Sequence, residues 1–173
     1  MTTPIYGEGI INVNQKGLIN YIINFDYYDE KKEYYKLIYS SLNYKEEERL
    51  KNEMQKQINS EKTILNEKYS FPVVKYAKIG IRGTPRISFA TFYIEISWIP
   101  NIGKNVYENI YEETTAEYDY SVTWILPNCG NFNKIDVSGE VYYENNYAFI
   151  KVKKGTKING YESILFDLPK SCF

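Results

Sequence analysis

The sequence predicts an α+β fold: mostly antiparallel β-sheet, a meander or sandwich of about eight to ten strands, with one long helix packed on or gripped by the sheet. Three observations predict it. Most segments alternate apolar and polar residues with period two. The strand candidates are joined by short turns, which favours antiparallel neighbours. A single run over residues 44–66 is rich in helix formers.

From the N-terminus, Ile5 to Val13 reads as a strand and Gln15-Lys16-Gly17 as its turn. Leu18 to Tyr28 places Ile19, Tyr21, Ile23, Phe25 and Tyr27 on one face. After the charged turn Asp29-Glu30-Lys31-Lys32, Glu33 to Leu42 reads as a third strand, although Tyr34 to Leu42 could also coil into a helix. Asn43 is expected to cap the long helix, with Glu46 reaching back from the third helical position. Leu50, Met54, Ile58 and Leu65 form its thin apolar stripe. The expected role of that stripe is to lie across the back of the sheet.

After Pro72 everything reads as strands. Val73 to Arg82 and Ile87 to Trp98 flank a four-residue loop, Gly83-Thr84-Pro85-Arg86. That loop length puts Val73, Ala77, Ile79 and Ile81 on one face with Ala90, Phe92, Ile94, Ile96 and Trp98. Val106 to Thr115 is ambiguous. Tyr118, Tyr120, Val122, Trp124 and Leu126 share a side of the next strand, and Ile164, Phe166 and Leu168 face inward on the last. No repeat or flexible linker interrupts the chain, so residues 1–173 are expected to form a single domain.

Composition narrows the function classes. The 173 residues are 43% hydrophobic and 25% charged, which is ordinary for a globular protein. The 19 tyrosines are not ordinary, and A/T-rich codon usage is the simplest source of them. A net charge of −1 gives no general attraction to phosphate backbones, which argues against nucleic acid. No secretory leader pattern and no membrane-spanning apolar run is visible, so a cytoplasmic protein is expected.

With no histidine, serine or cysteine triads and histidine metal ligation are excluded. Phosphate-binding glycine loops are missing as well. The expectation is therefore a non-enzymatic protein without cofactor, and without zinc, iron or copper. Glu108, Glu112, Glu113, Glu117 and Asp119 crowd one stretch, but read as a solvated acidic face. Glu95 reads as a solvent-facing residue within a strand.

Three candidate features remain. Arg82 and Arg86 sit at one hairpin tip and could bind an anion or acidic ligand, or pair with a carboxylate of this chain. Tyr27, Tyr28, Tyr34, Tyr35, Tyr142 and Tyr143 form pairs that put one ring on each face of a strand, suiting an interaction surface. Cys129 and Cys172 could form a bridge that pins the C-terminal tail, worth on the order of 4 kcal/mol. Two functions follow. The favoured one is a binding or assembly protein that uses an aromatic sheet surface for a protein partner or its own copies. The alternative is a ligand-holding or carboxylate-based enzyme with a pocket between sheet and helix, Arg82 and Arg86 lining its mouth.

Overall fold

The computed structural model describes residues 2–173. Strands β1 (Thr2–Asn14) and β2 (Leu18–Asp29) form a long antiparallel hairpin. Two helices follow, α1 (Glu33–Tyr39) and α2 (Asn43–Ser60). The short strands β3 (Lys62–Leu65) and β4 (Lys68–Ser70) come next, then the hairpin of β5 (Val73–Ile81) and β6 (Ile87–Ser97). Strands β7 (Gly103–Ile110), β8 (Thr114–Thr115) and β9 (Asp119–Ile125) lead into β10 (Asn131–Asp136). The chain ends with β11 (Glu140–Glu144), β12 (Tyr147–Val152), β13 (Lys157–Ile158), β14 (Tyr161–Leu168) and a 3₁₀ turn at Lys170–Cys172.

These strands make a seven-stranded sheet ordered β11-β12-β9-β1-β2-β6-β5, a five-stranded sheet ordered β10-β14-β7-β3-β4, and the small pair β13-β8. Among the described residues all pairings are antiparallel except one: β1 runs parallel to β9, with Tyr6 opposite Asp119 and Asn12 opposite Ile125. The α+β class with mostly antiparallel sheet is therefore correct, while the strand count exceeds the eight to ten expected.

The expected third strand is helix α1. Its apolar residues Tyr34, Leu37 and Ile38 recur at helical spacing and face the second of two hydrophobic clusters. The buried Asp29 carboxylate accepts the Tyr34 N–H at 2.9 Å, which anchors the first turn. The long helix also stops earlier than expected. Glu61 is extended, and the β-branched Thr63 and Ile64 that follow enter β3, so Leu65 belongs to a strand. Leu42, not Asn43, occupies the cap position. Asn43 instead donates to Glu47 from inside the helix, and Glu46 pairs with Arg49.

One half of the seven-stranded sheet is covered by the five-stranded sheet, and the other half by the helices. The first core cluster holds Ile11, Ile19, Trp98, Trp124, Ile164 and Phe166. The second joins Val74, Ala77, Phe92 and Ile94 to Leu50, Met54 and Ile58 of α2. Glu47 ties α2 to β5, accepting from Lys78 Nζ at 3.0 Å and from the Ile79 N–H at 3.3 Å.

The β5–β6 turn has the expected four residues, since Arg82 N–H donates to Ile87 O. A bulge between Val74 and Tyr76 shifts the strand's start, so Val74 is buried and Val73 is exposed, contrary to the simple alternation. No helix among the described residues is long and apolar enough to cross a membrane.

Candidate functional site

A cavity of about 550 Å³ lies where the two core clusters meet, between the paired sheets and the C-terminal end of α2. Its walls are aromatic. Tyr21 of β2, Tyr107 of β7 and Tyr120 and Trp124 of β9 line it, with Tyr111 and Tyr118 from the flanking loops. Gln57, Thr114, Thr115 and Glu117 are lining residues that are also exposed, and they mark its rim.

The backbone makes room for these rings. On β1, Gly7 and Gly9 take the inward positions that Ile11 and Val13 continue. A methyl group at Gly9 would stand 3.1 Å from Tyr21 Cε2, and one at Gly7 would stand 3.2 Å from Tyr118 Cε2. Both contacts are tight, so glycine lets the rings lie against bare strand.

Tyr111 is placed by Gly160, whose carbonyl accepts the Tyr111 N–H at 2.9 Å. Gly160 has φ +77°, and a Cβ there would lie 2.6 Å from the Tyr111 carbonyl oxygen. Gly160→Ala is therefore expected to cost about 2 kcal/mol or more in urea unfolding, from strain in the left-handed region and a backbone clash. An unchanged midpoint would contradict this placement.

The cavity has one polar wall. Glu61, just past α2, accepts from Asn109 Nδ2 at 2.9 Å, and Thr63 Oγ1 donates to Asn109 Oδ1 at 3.3 Å. Glu162 of β14 stands opposite Asn109 in the strand register. Burial, reinforced by the negative charge of Glu61, pushes the Glu162 carboxyl up to about 7. Burial raises Glu61 as well, partly offset by its hydrogen bonds from Asn109 and Gln57.

The tyrosines respond to the same two influences. Burial first, and the charge of Glu162 second, raise the hydroxyls of Tyr21, Tyr107, Tyr111 and Tyr120, the last to about 12. Glu162 is thus the electrostatic centre of a ring of neutral phenols. A carboxyl that titrates near neutrality can give or take a proton, and the rings offer flat π faces.

The sequence-derived candidates lie elsewhere. Arg82 and Arg86 do not line the cavity. Arg82 pairs with Asp26 at 2.9 Å and lies 4.9 Å from the Phe89 ring centroid, so its carboxylate partner comes from β2 rather than from the acidic stretch. That stretch is dispersed: Glu113 pairs with Lys157, Asp119 accepts the Lys154 N–H, and Glu108 accepts from Tyr161. Glu95 pairs with Lys75 at 3.1 Å on the outer sheet face.

The tyrosine pairs do not behave alike. Tyr34 and Tyr35 lie on α1, not on a strand; Tyr34 is buried and Tyr35 lies against Tyr39, with ring centroids 4.3 Å apart. Tyr27 packs on the second core cluster, while Tyr28 is exposed. Tyr142 and Tyr143 are exposed on the edge strand β11, where Tyr142, Tyr147 and Phe149 bound a shallow groove. Cys129 and Cys172 are bonded to each other, with Cα atoms 5.6 Å apart. Among the described residues, no three Asp, Glu or Cys side chains converge to hold a metal ion.

Sequence reasoning offered a pocket between sheet and helix as its alternative but placed Arg82 and Arg86 at its mouth and did not name Glu162, for which one signal was present. Glu162 has the same parity as Ile164, Phe166 and Leu168, which places a carboxylate on the inward face of β14.

No protein-family model and no curated protein matches the chain. Among solved structures it is similar to a candidate protease from Parabacteroides distasonis, with 7% identity, 97% of this chain and 40% of that chain covered, and a TM-score of 0.31. It is also similar to the M1 zinc metallopeptidase of Deinococcus radiodurans, with 8% identity, 96% and 42% covered, and a TM-score of 0.36. The chain spans less than half the length of these proteins. Likeness at this level informs neither fold nor activity.

Proposed function

We propose that this protein holds a small molecule with a flat, apolar body in the cavity between its two sheets. The observation that carries this reading is the cavity itself. Its volume of about 550 Å³ falls within the range of small-molecule sites, and it combines aromatic walls with one polar corner. A packed core has few voids larger than a water molecule, so a space of this size is a departure that calls for an occupant.

The test is direct. Native mass spectrometry of freshly purified protein should detect a retained small molecule. With stripped protein, an aromatic compound at about 100 times its Kd should add about 2.7 kcal/mol of stability and alter the emission of Trp124. Val122→Trp, which fills the cavity, should abolish both effects. If a library of neutral, cationic and anionic aromatics shifts neither melting nor emission, the reading fails.

A second reading rests on the edge strand β11. Tyr142 is 61% exposed and Tyr147 is 55% exposed beside it, and an uncovered aromatic edge suits a protein partner or another copy of the chain. The Cys129–Cys172 bridge supports placing the chain in an oxidising compartment rather than in the reducing cytoplasm expected from the sequence.

A further inference from the structure

Resting on the cavity reading, we infer that the ligand is an organic cation: an amine or quaternary ammonium group on an aromatic or apolar body, held by Glu162 with Glu61 beside it. Three observations converge on this chemistry.

The charge of the cavity is one-sided. Among the described residues its ionisable lining other than tyrosine is Glu61, Glu117 and Glu162, with no lysine or arginine. An anionic ligand would meet unopposed repulsion, whereas a cation would supply the missing counter-charge.

Glu162 itself is left without a partner. Among the described residues no hydrogen bond or ion pair reaches its carboxylate, although the residue is half-buried in the cavity wall and Glu61 beside it is held by Asn109. A half-buried carboxylate with no partner from its own chain leaves its charge to be answered by whatever enters the cavity.

The rings complete the site. Tyr21, Tyr107, Tyr111 and Tyr120 line the same cavity and feel the charge of Glu162, and their burial keeps them as neutral phenols. Aromatic faces around a desolvated cation add attraction that a neutral ligand does not receive. A bare divalent metal ion fits less well, because the described residues contain no cluster of three ligands for one.

Proton linkage gives the inference a signature. The titratable groups that line the cavity with Glu162 are Tyr21 from β2, Tyr107 from β7, Tyr111, Tyr118 and Glu117 from the rim segments, Tyr120 from β9, and Glu61. The phenols stay protonated over the neutral range, and Glu162 is the carboxyl whose titration falls there. A cation must displace the Glu162 proton below its pKa of about 7, and its affinity then falls about tenfold per pH unit on the acid side.

The experiment compares three probes by titration calorimetry: benzyltrimethylammonium, 2-phenylethanol and 3-phenylpropionate. The first is a permanent cation, so any pH dependence belongs to the protein. It is expected to bind at least tenfold more tightly than the alcohol at pH 8, with affinity rising from pH 5 to 7 and levelling above. The anion is expected not to bind.

Glu162→Gln should remove both the preference and most of the slope. Glu61→Gln leaves Glu162 in place and should keep the slope, displaced to lower pH, because one of the two influences raising Glu162 is gone. The folding of each variant is checked by its thermal transition. If the alcohol binds as tightly as the cation, or Glu162→Gln keeps the preference, the cation inference is overturned while the cavity reading stands. If none of the three probes binds at millimolar concentration, both are overturned.

Discussion

At pH 8, Glu162→Gln is expected to be more stable than the native chain by about 3 kcal/mol, and at pH 4 the two should be nearly equal. The sign follows from the direction of the shift. The carboxyl is raised from 4.5 in the unfolded chain to about 7 in the fold, so the folded state binds the extra proton between these values. Native stability then falls as pH rises from about 4.5 to 7, and the full penalty of about 3 kcal/mol remains above 7. Glutamine keeps the shape without the charge, so most of this slope should vanish. A smaller slope of the same sign should persist from Glu61, which burial also raises. Urea unfolding at several pH values checks this. Equal stability of the two proteins at pH 8 would show that the Glu162 charge is already compensated. Together with the loss of cation binding, a stabilised Glu162→Gln would mark this residue as one retained for binding at the expense of stability.

Cys172→Ser is expected to lower stability by about 4 kcal/mol in the chain-entropy model, and reduction of the native protein should cost about the same. The bridge links positions 43 residues apart. It fixes the 3₁₀ turn Lys170–Cys172 to the loop that joins β9 and β10. Cys172 is buried, and Gly130 next to Cys129 packs closely on Leu168 of the last strand. The variant should therefore also fray at its C-terminus, seen as faster amide exchange after Leu168. A native protein whose melting is unchanged by a strong reductant would contradict this.

Much of the fold was legible in the sequence. The alternation of Ala90, Phe92, Ile94 and Ile96 placed β6 and its buried face correctly, because a strand has only two faces and one of them is covered. The run from Tyr118 to Leu126 was equally clear. Helix α1 was harder to place, since Tyr34, Leu37 and Ile38 satisfy helical spacing over too few residues to outweigh strand-forming side chains. Its first turn is anchored by Asp29, the buried last residue of β2, a contact that no periodicity in the chain records.

The chain's own sequence determined the α+β class, the β5–β6 turn, the inward parity of Glu162 and the absence of histidine chemistry. These depend on local periodicity, turn length and residue identity, which adjacent positions settle among themselves. Tertiary structure alone decided the parallel pairing of β1 with β9, the bulge near Val74 and the meeting of Glu61 with Glu162, which lie far apart in the chain. It also decided that Gly7 and Gly9 would lie beneath tyrosine rings. The physical reason is that a cavity is the space between elements. Its walls come from β2, β7, β9, β14 and the end of α2, and no local pattern along the chain records which of these will face one another.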